Sequence, residues 1–365
     1  MAEIDGWNRF REEKMKTIGF AGTAKNTGKT NTTLAVIKQA HAAGLQLAMA
    51  GSGFDSETHE SAKPKHMLDS GDMVATAAAC LNTGSATFEI LESTNIDTTF
   101  GKVTIARVIS PGTVEVTGSN REKDLATLIE IFQNHNVDLL LVDGAFNRLV
   151  PLIACDGLVL STGAAFDSDI HKLADHAGMM IKLFTPPVTT APVISEQNTT
   201  LVFEDQSSVE LNTGSMLSGR TMDDILSLIS KPLKSLEIPG TCHPMLLKTL
   251  IEKNPYTDKP LDLILANPLK LITSTHPALW LELLLQPLLS VYYRHHIPVK
   301  ILSVNPYYQK FNPVKNALQA AFVDKYFLLR TVRIALPNFP VYDLNQPPQP
   351  DLLRLLGIGN TVLLQ

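Results

Sequence analysis

Gly22-Thr23-Ala24-Lys25-Asn26-Thr27-Gly28-Lys29-Thr30 carries the Gly-Lys-Thr end of the pattern G-x-x-x-x-G-K-[ST], with five residues rather than four between Gly22 and Gly28. The pattern has a chemical rationale as a phosphate cradle. Its glycines let the backbone turn tightly, so that successive N–H groups point into one concavity, and a triphosphate fills that concavity with negative charge. Lys29 is spaced to reach the β- and γ-phosphates, and the Thr30 hydroxyl to bind Mg²⁺. The residues expected to contact a nucleotide run from Gly22 through Thr30 to Asn31. The competing reading is a Gly/Thr-rich turn with no ligand.

The flanks favour the cradle. Met15–Ala21 (MKTIGFA) predicts a strand running into the loop. Leu34, Ile37 and His41, with Ala40 beside it, then recur at helical spacing, and Gly44 supplies a C-cap. A loop between strand and helix sits at a helix N-terminus, where unpaired N–H groups and the helix dipole favour an anion.

Such a loop requires an acid near its cation, at the end of a buried strand. Val137–Val142 is an apolar run typical of a central parallel strand, and Asp143 closes it. Asp143 is expected to hold Mg²⁺ directly or through water, against the alternative of a capping Asp in a turn. A second acid is expected after the strand that follows the loop's helix. There, in GSGFDSE, Asp55 is the candidate to bind a Mg²⁺ water or orient the attacking water, and Glu57 is the runner-up. Lys63 and Lys65 could clamp a phosphate or an acidic substrate, with a solvated charge pair as the alternative. Arg148 could reach a phosphate or a partner subunit. Thr162 and Gly163 end another strand at the ligand edge. Asn305-Pro306-Tyr307-Tyr308 ends a later strand and reads as a turn with a packing tyrosine, or a cleft lining. His295-His296 reads as a helix terminus rather than a metal site, because adjacent rings cannot share a helix face.

Strand-like and helix-like segments alternate along the 365 residues. Expected strands include Leu45–Ala50, Thr87–Leu91, Val103–Ile109, Leu158–Ser161, Leu233–Ile238, Leu261–Ala266, Val299–Val304 and Val341–Leu344. Expected helices include an Ala-rich Met73–Leu81, an amphipathic Arg121–Asn134, Asp167–His176, His243–Lys253, Ala278–Tyr293 and Val323–Leu336. Ser52–Asp72 is polar and aperiodic and reads as a loop or lid. Pro186, Pro187 and Pro192 cluster at an expected boundary. The fold class expected is therefore α/β: residues 1–187 a nucleotide-binding domain with a mostly parallel sheet flanked by helices, and residues 188–365 a second, smaller α/β domain for client or substrate contact.

Composition narrows the function classes. A formal net charge of −5 without a long Lys/Arg run argues against a dedicated nucleic-acid binder. The charged N-terminal stretch MAEIDGWNRFREEKMK has no apolar core of a secretory signal. Leu279–Tyr293 is too short for a bilayer span and carries Glu282 and Gln286; it reads as a buried helix kinked or broken at Pro287. Cys80, Cys155 and Cys242 are isolated and odd in number, which indicates neither a zinc knuckle nor a redox pair. A reducing cytoplasm is the expected compartment, and no membrane partner is expected.

GTAKNTGKT, the later Asp143-Gly144-Ala145 and the strands between them resemble the P-loop NTPases that include dethiobiotin synthetase, cobyrinic acid synthases and ParA/MinD-type ATPases. That resemblance implies a mostly parallel sheet, ATP with Mg²⁺, and often a homodimer with nucleotide near its interface. Two departures matter. Where ParA/MinD proteins carry a second lysine five positions before the phosphate lysine, this chain has Ala24, with Lys25 one step later. The Lys-Pro pair of dethiobiotin synthetase follows its second strand closely, whereas here Lys63-Pro64 comes later. A closer resemblance is to the P-loop reactivating factors of adenosylcobalamin-dependent lysine 5,6-aminomutase. It is carried by Ile18–Thr30, Gly53–Glu57, Lys63-Pro64, Val142–Arg148 and Ser161–Ala165, and more weakly by Val304-Asn305-Pro306 and Val323-Asp324. It implies an ATPase that remodels a cobalamin-dependent aminomutase to expel damaged cofactor.

In that expectation Lys29 stabilises charge on the γ-phosphoryl group, Thr30 and Asp143 hold Mg²⁺, and Asp55 contributes to the metal site and positions water. Ser52–Asp72 would be the switch segment. An ATP-dependent small-molecule ligase and a non-hydrolysing nucleotide sensor are the alternatives.

Overall fold

Lys16–Gly22 forms strand β1, which runs into the Gly22–Thr30 loop and then helix α1 (Lys29–Ala42). The computed structural model describes residues 15–53, 65–144, 150–256, 259–272, 277–344, 346 and 349–359. β1 is buried along nearly its whole length, and α1 lays Val36, Ile37 and Ala40 into the core. Strand β2 (Leu47–Gly51) follows, also buried. Next come β3 (Lys65–Leu68), β4 (Met73–Ala77), a 3₁₀ turn at Ala78–Asn82, and the long hairpin of β5 (Thr87–Thr98) and β6 (Gly101–Ser110). β7 (Gly112–Glu115), α2 (Glu122–Asn134), β8 (Leu139–Asp143), β9 (Gly157–Gly163) and α3 (Ile170–Leu183) complete the first stretch.

The chain divides into two units: residues 1–175 with 298–365, and residues 176–297. The second unit carries β10 (Thr199–Phe203), β11 (Ser208–Leu211), α4 (Gly219–Leu228), β12 (Leu233–Ile238), α5 (Pro244–Lys253), β13 (Leu261–Leu265), α6 (Leu269–Ile272), α7 (Pro277–Leu284) and β14 (Leu289–Tyr293). Its sheet has the order β11-β10-β12-β13-β14, with β12, β13 and β14 parallel and the β10 pairings antiparallel.

The chain then returns to the first unit. β15 (Val299–Asn305) pairs in parallel with β9, and β18 (Val341–Tyr342) in parallel with β15. Between them lie the β16–β17 hairpin (Tyr307–Asn312 and Ala317–Phe322) and α8 (Lys325–Ala335); α9 (Leu352–Leu356) follows. The large sheet is nine-stranded, in the order β18-β15-β9-β1-β8-β2-β4-β6-β5. It is parallel from β18 to β4, while β6 runs antiparallel to both its neighbours. Helices flank it, and its core gathers Ile18, Phe20, Val36, Met49, Leu141 and Ile301. The fold class is thus α/β with a large, mostly parallel mixed sheet. Among the described residues no helix is long and apolar enough to cross a membrane.

Several expectations differ from this architecture, each for a physical reason. The second unit is inserted, and residues 298–365 add strands to the first sheet instead of continuing a separate domain from residue 188. An apolar strand such as Ile301–Val304 reads the same whichever sheet it joins. Met73–Ala77 is a strand, not an Ala-rich helix: it is fully buried and paired on both sides, and pairing overrides alanine's helix propensity. Ala278–Tyr293 splits into α7 and β14. Pro287 cannot continue a helix, and the β-branched and aromatic LSVYY pairs in parallel with β13. Lys65–Leu68, expected within a loop, pairs antiparallel with β7.

Candidate functional site

β1 lies between β8 and β9, and β8 between β1 and β2. Phe20 of β1 and Gly51 of β2 stand opposite Asp143, so the Asp143 carboxylate sits at the C-terminal edge of the parallel strands. That edge is where an open α/β sheet offers a ligand crevice.

The Gly22–Thr30 loop is shaped by its glycines and tied down from below. A Cβ on Gly22 would lie 2.6 Å from Thr27 Oγ1. Gly28 caps α1 with φ +94°, a left-handed conformation that favours glycine. The buried Thr27 hydroxyl donates to Ala24 O at 3.0 Å. Thr23 N donates to Ser161 O at 2.9 Å, and its hydroxyl to that of Thr162 at 2.9 Å. Asn305 Nδ2 donates to Asn26 O at 3.2 Å. Beneath the loop the Ser303 hydroxyl donates to Ser161 (2.8 Å), Ser161 to Thr32 (3.3 Å), and Thr32 to Gly28 O (3.1 Å). β9 and β15 thus pre-shape the loop. Thr162 and Asn305 do this from under it rather than by lining a cleft, and Gly163 is there because a Cβ would lie 2.2 Å from Asn305 O. The N-cap residue of α1, Gly28, makes no side-chain cap, and the first turn of α1 holds no acid. Thr30 is the second residue of α1 and half-buried; Asn31, Lys25 and Asn26 are exposed.

The electrostatics centre on Asp143. Lys29 Nζ donates to Asp143 Oδ1 and, at 2.8 Å, to Gly144 O. The two side chains are 20% and 12% exposed. Burial pushes the Asp143 pKa up, but the Lys29 charge, with His66 close by, outweighs it, and the carboxyl is held at about 2. His66, on β3, is buried; its Nε2 lies 3.5 Å from Asp143 Oδ2, beyond ordinary hydrogen-bond length. Ser52 N donates to Asp143 O at 2.8 Å. Its buried hydroxyl, like His66 Nε2, has no partner at hydrogen-bond length among the described residues.

Lys29 and Asp143, predicted from separate motifs, are therefore in contact. Asp55, Glu57, Lys63 and Arg148 lie outside the described residues, and Lys65 is described only in its backbone. Ser52 and His66 were missed as site residues. Ser52 had a signal, since it directly follows a strand that ends at the ligand edge. His66 had none, because the pairing of β3 with β7 places it. His295 and His296 belong to the second unit, where His296 Nε2 sits 3.0 Å from Phe184 O. Among the described residues no three His, Cys, Asp or Glu side chains gather as metal ligands. The three cysteines are free and buried, and burial pushes the Cys155 and Cys242 thiols up, away from reactivity.

The groups present fit a polyphosphate with a hard cation. A glycine-shaped loop leads to a helix N-terminus whose N-cap residue is a glycine, which favours phosphate. An ionised carboxylate, hydroxyls and a lysine lie beside it, and Mg²⁺ is commonly held by one or two carboxylates together with substrate phosphates. Comparison with protein-family models, with curated proteins and with solved structures finds no match to this chain.

Proposed function

We propose that this chain is a P-loop ATPase that binds Mg²⁺-ATP at Gly22–Asn31, hydrolyses it, and uses the cycle to remodel a partner. The observation that carries the reading is the contact between Lys29, at the start of α1 after the β1 loop, and Asp143, at the end of the neighbouring parallel strand β8. Loop N–H groups and the N-terminus of α1 would bind and orient the phosphates. Lys29 would leave Asp143 for the β- and γ-phosphates and offset the charge that grows there. Thr30 and Asp143 would hold Mg²⁺, with Asp55 the candidate for a further metal contact and for orienting water. The bound ion would supply charge neutralisation on the phosphate oxygens.

The client, a cobalamin-dependent aminomutase, rests on the sequence resemblance. A second reading, an ATP-dependent ligase for a small acid, draws on a cleft of about 410 Å³ in the second unit, bordered by Lys182, Pro186, Leu281, Leu285 and Tyr292. That volume suits a metabolite.

The test compares ATP hydrolysis of the wild type and Lys29→Ala, with Mg²⁺. Loss of turnover by about 100-fold or more in a variant that still folds is expected, in line with the loss of a main electrostatic group. Unchanged ATP affinity in Lys29→Ala would remove the assignment. ATP-dependent recovery of an aminomutase inactivated by turnover supports the remodelling reading. Stimulation of hydrolysis by one metabolite, with no effect on the mutase, favours the ligase.

A further inference from the structure

Asp143 is approached on both oxygens. Lys29 occupies Oδ1, and His66 Nε2 stands 3.5 Å from Oδ2. The proposed function, on which this inference rests, takes Lys29 away from Asp143. A buried carboxylate that loses its cation is strongly destabilised unless another donor replaces it. Among the described residues His66 is the side chain positioned to do so. Its side chain is 1% exposed, so water does not serve it, and Nε2 has no nearer partner. A buried nitrogen in that state is uncommon and asks for an explanation. A shift of a few tenths of an ångström would bring Nε2 and Oδ2 into ordinary hydrogen-bond range.

The backbone explains why His66 can hold this place. β3 pairs antiparallel with β7, with His66 opposite Val114. Leu68, on the same strand, is fully buried in the core of the unit. The ring is therefore carried on a paired strand rather than on a free loop.

We propose that His66 is a positioning residue for Asp143. When Lys29 transfers to the phosphates, His66 becomes the donor to Oδ2, and it holds the carboxylate in the orientation a divalent cation needs. Ligand-orienting partners of this kind characteristically affect metal affinity by about 10–100-fold.

The test measures the affinity of the full chain for the non-hydrolysable analogue AMP-PNP, with Mg²⁺ and with EDTA, in the wild type, His66→Ala and His66→Gln. Unfolding temperature is recorded for each. His66→Ala is expected to lose about 10-fold or more of the Mg²⁺-dependent gain in affinity, with EDTA affinity within about 2-fold of wild type. His66→Gln, whose amide nitrogen can reach the position of Nε2, is expected to recover most of the gain. Gln also serves if the Ala variant fails to fold. An undiminished Mg²⁺ gain in His66→Ala overturns the proposal. So does an equal loss with and without Mg²⁺ that Gln does not repair, which is the signature of a packing role. If wild type binds AMP-PNP in neither condition, the nucleotide reading falls and this inference falls with it.

Discussion

Among the described residues each unit contains a largely buried pair between a carboxylate and a lysine or arginine, and the two are built differently. Lys29–Asp143 is 20% and 12% exposed, and Arg294–Glu237 is 13% and 6% exposed. Arg294 uses both terminal nitrogens of its planar fork: it donates to Glu237 Oε1, to Ala191 O and, at 3.0 Å, to Pro192 O. The pair therefore fastens the proline-rich segment to β12, within one unit. Lys29 is a point charge on a flexible stem, and its partners are a carboxylate and one carbonyl. The carboxylates differ as well. Burial dominates at Glu237 and raises its pKa despite Arg294, whereas Asp143 is held at about 2. A fork held by three acceptors is a brace. A lysine beside a firmly ionised acid can exchange its partner for an anion.

The largest effect that would break this contrast concerns the brace. Arg294→Ala leaves Glu237 without its cation and two carbonyls without a donor. The expected cost is about 3–5 kcal/mol, the usual figure for removing one member of a buried pair. Denaturant unfolding followed by probes in the second unit measures it. Arg294→Lys should recover little, because an ammonium does not reproduce the fork. Near-wild-type stability of Arg294→Ala would mean that the pair is not a brace.

Next in size is an opposite response to pH. The folded-state pKa of Asp143 is depressed from 3.8 to about 2. Its contribution is therefore fully present above about pH 4 and is lost as pH falls toward 2. At 1.36 kcal/mol per pKa unit, that is about 2 kcal/mol. Glu237 has the opposite sign: its pKa is raised from 4.5, so its contribution is favourable in acid and declines as pH rises through the folded-state value. Stability measured without nucleotide, in EDTA, should lose the Asp143 share of its slope between about pH 4 and 2 in Asp143→Asn, while Asp205, held low by Lys231 and Ser207, keeps its own share. Glu237→Gln should keep that slope and change the curve only at higher pH. An undiminished acid slope in Asp143→Asn would show that Lys29 does not hold the carboxylate down.

What could be read from sequence follows the range of the information. The strand–loop–helix around Gly22–Thr30 and the acid after Val137–Val142 are local patterns, and the structure has both. Register and sheet membership are not local. Nothing in Lys65–Leu68 announces that β7 will pair with it and turn His66 toward Asp143. Nothing in Val299–Asn305 says that it will lie beside β9 and hold the loop through Asn305. Ala-rich β4 and the β14 segment LSVYY, which continues a leucine-rich helical run in sequence, misled for a related reason: composition votes for helix, while tertiary pairing decides. The β16–β17 hairpin follows the same rule: neither strand is among the elements expected from sequence, and each is defined by its pairing with the other.

The smallest effect sharpens the comparison most. Ser52 is 4% exposed, and its hydroxyl has no partner among the described residues. A Cβ on Gly144 would lie 3.2 Å from it, so the hydroxyl stands beside the Asp143 turn. Removing an unpaired buried hydroxyl relieves its desolvation, and Ser52→Ala should therefore be neutral or more stable by up to about 1 kcal/mol. If the hydroxyl instead finds its partner in the Mg²⁺-nucleotide complex, the same variant should bind AMP-PNP about 5-fold more weakly, the equivalent of one net hydrogen bond. Stability and affinity would then move in opposite directions. Thermal unfolding with and without Mg²⁺ and AMP-PNP reads both. A drop in both quantities would make Ser52 a structural residue. Arg294→Ala should not produce that opposition, because Arg294 already makes its contacts to Glu237, Ala191 and Pro192 in the folded chain.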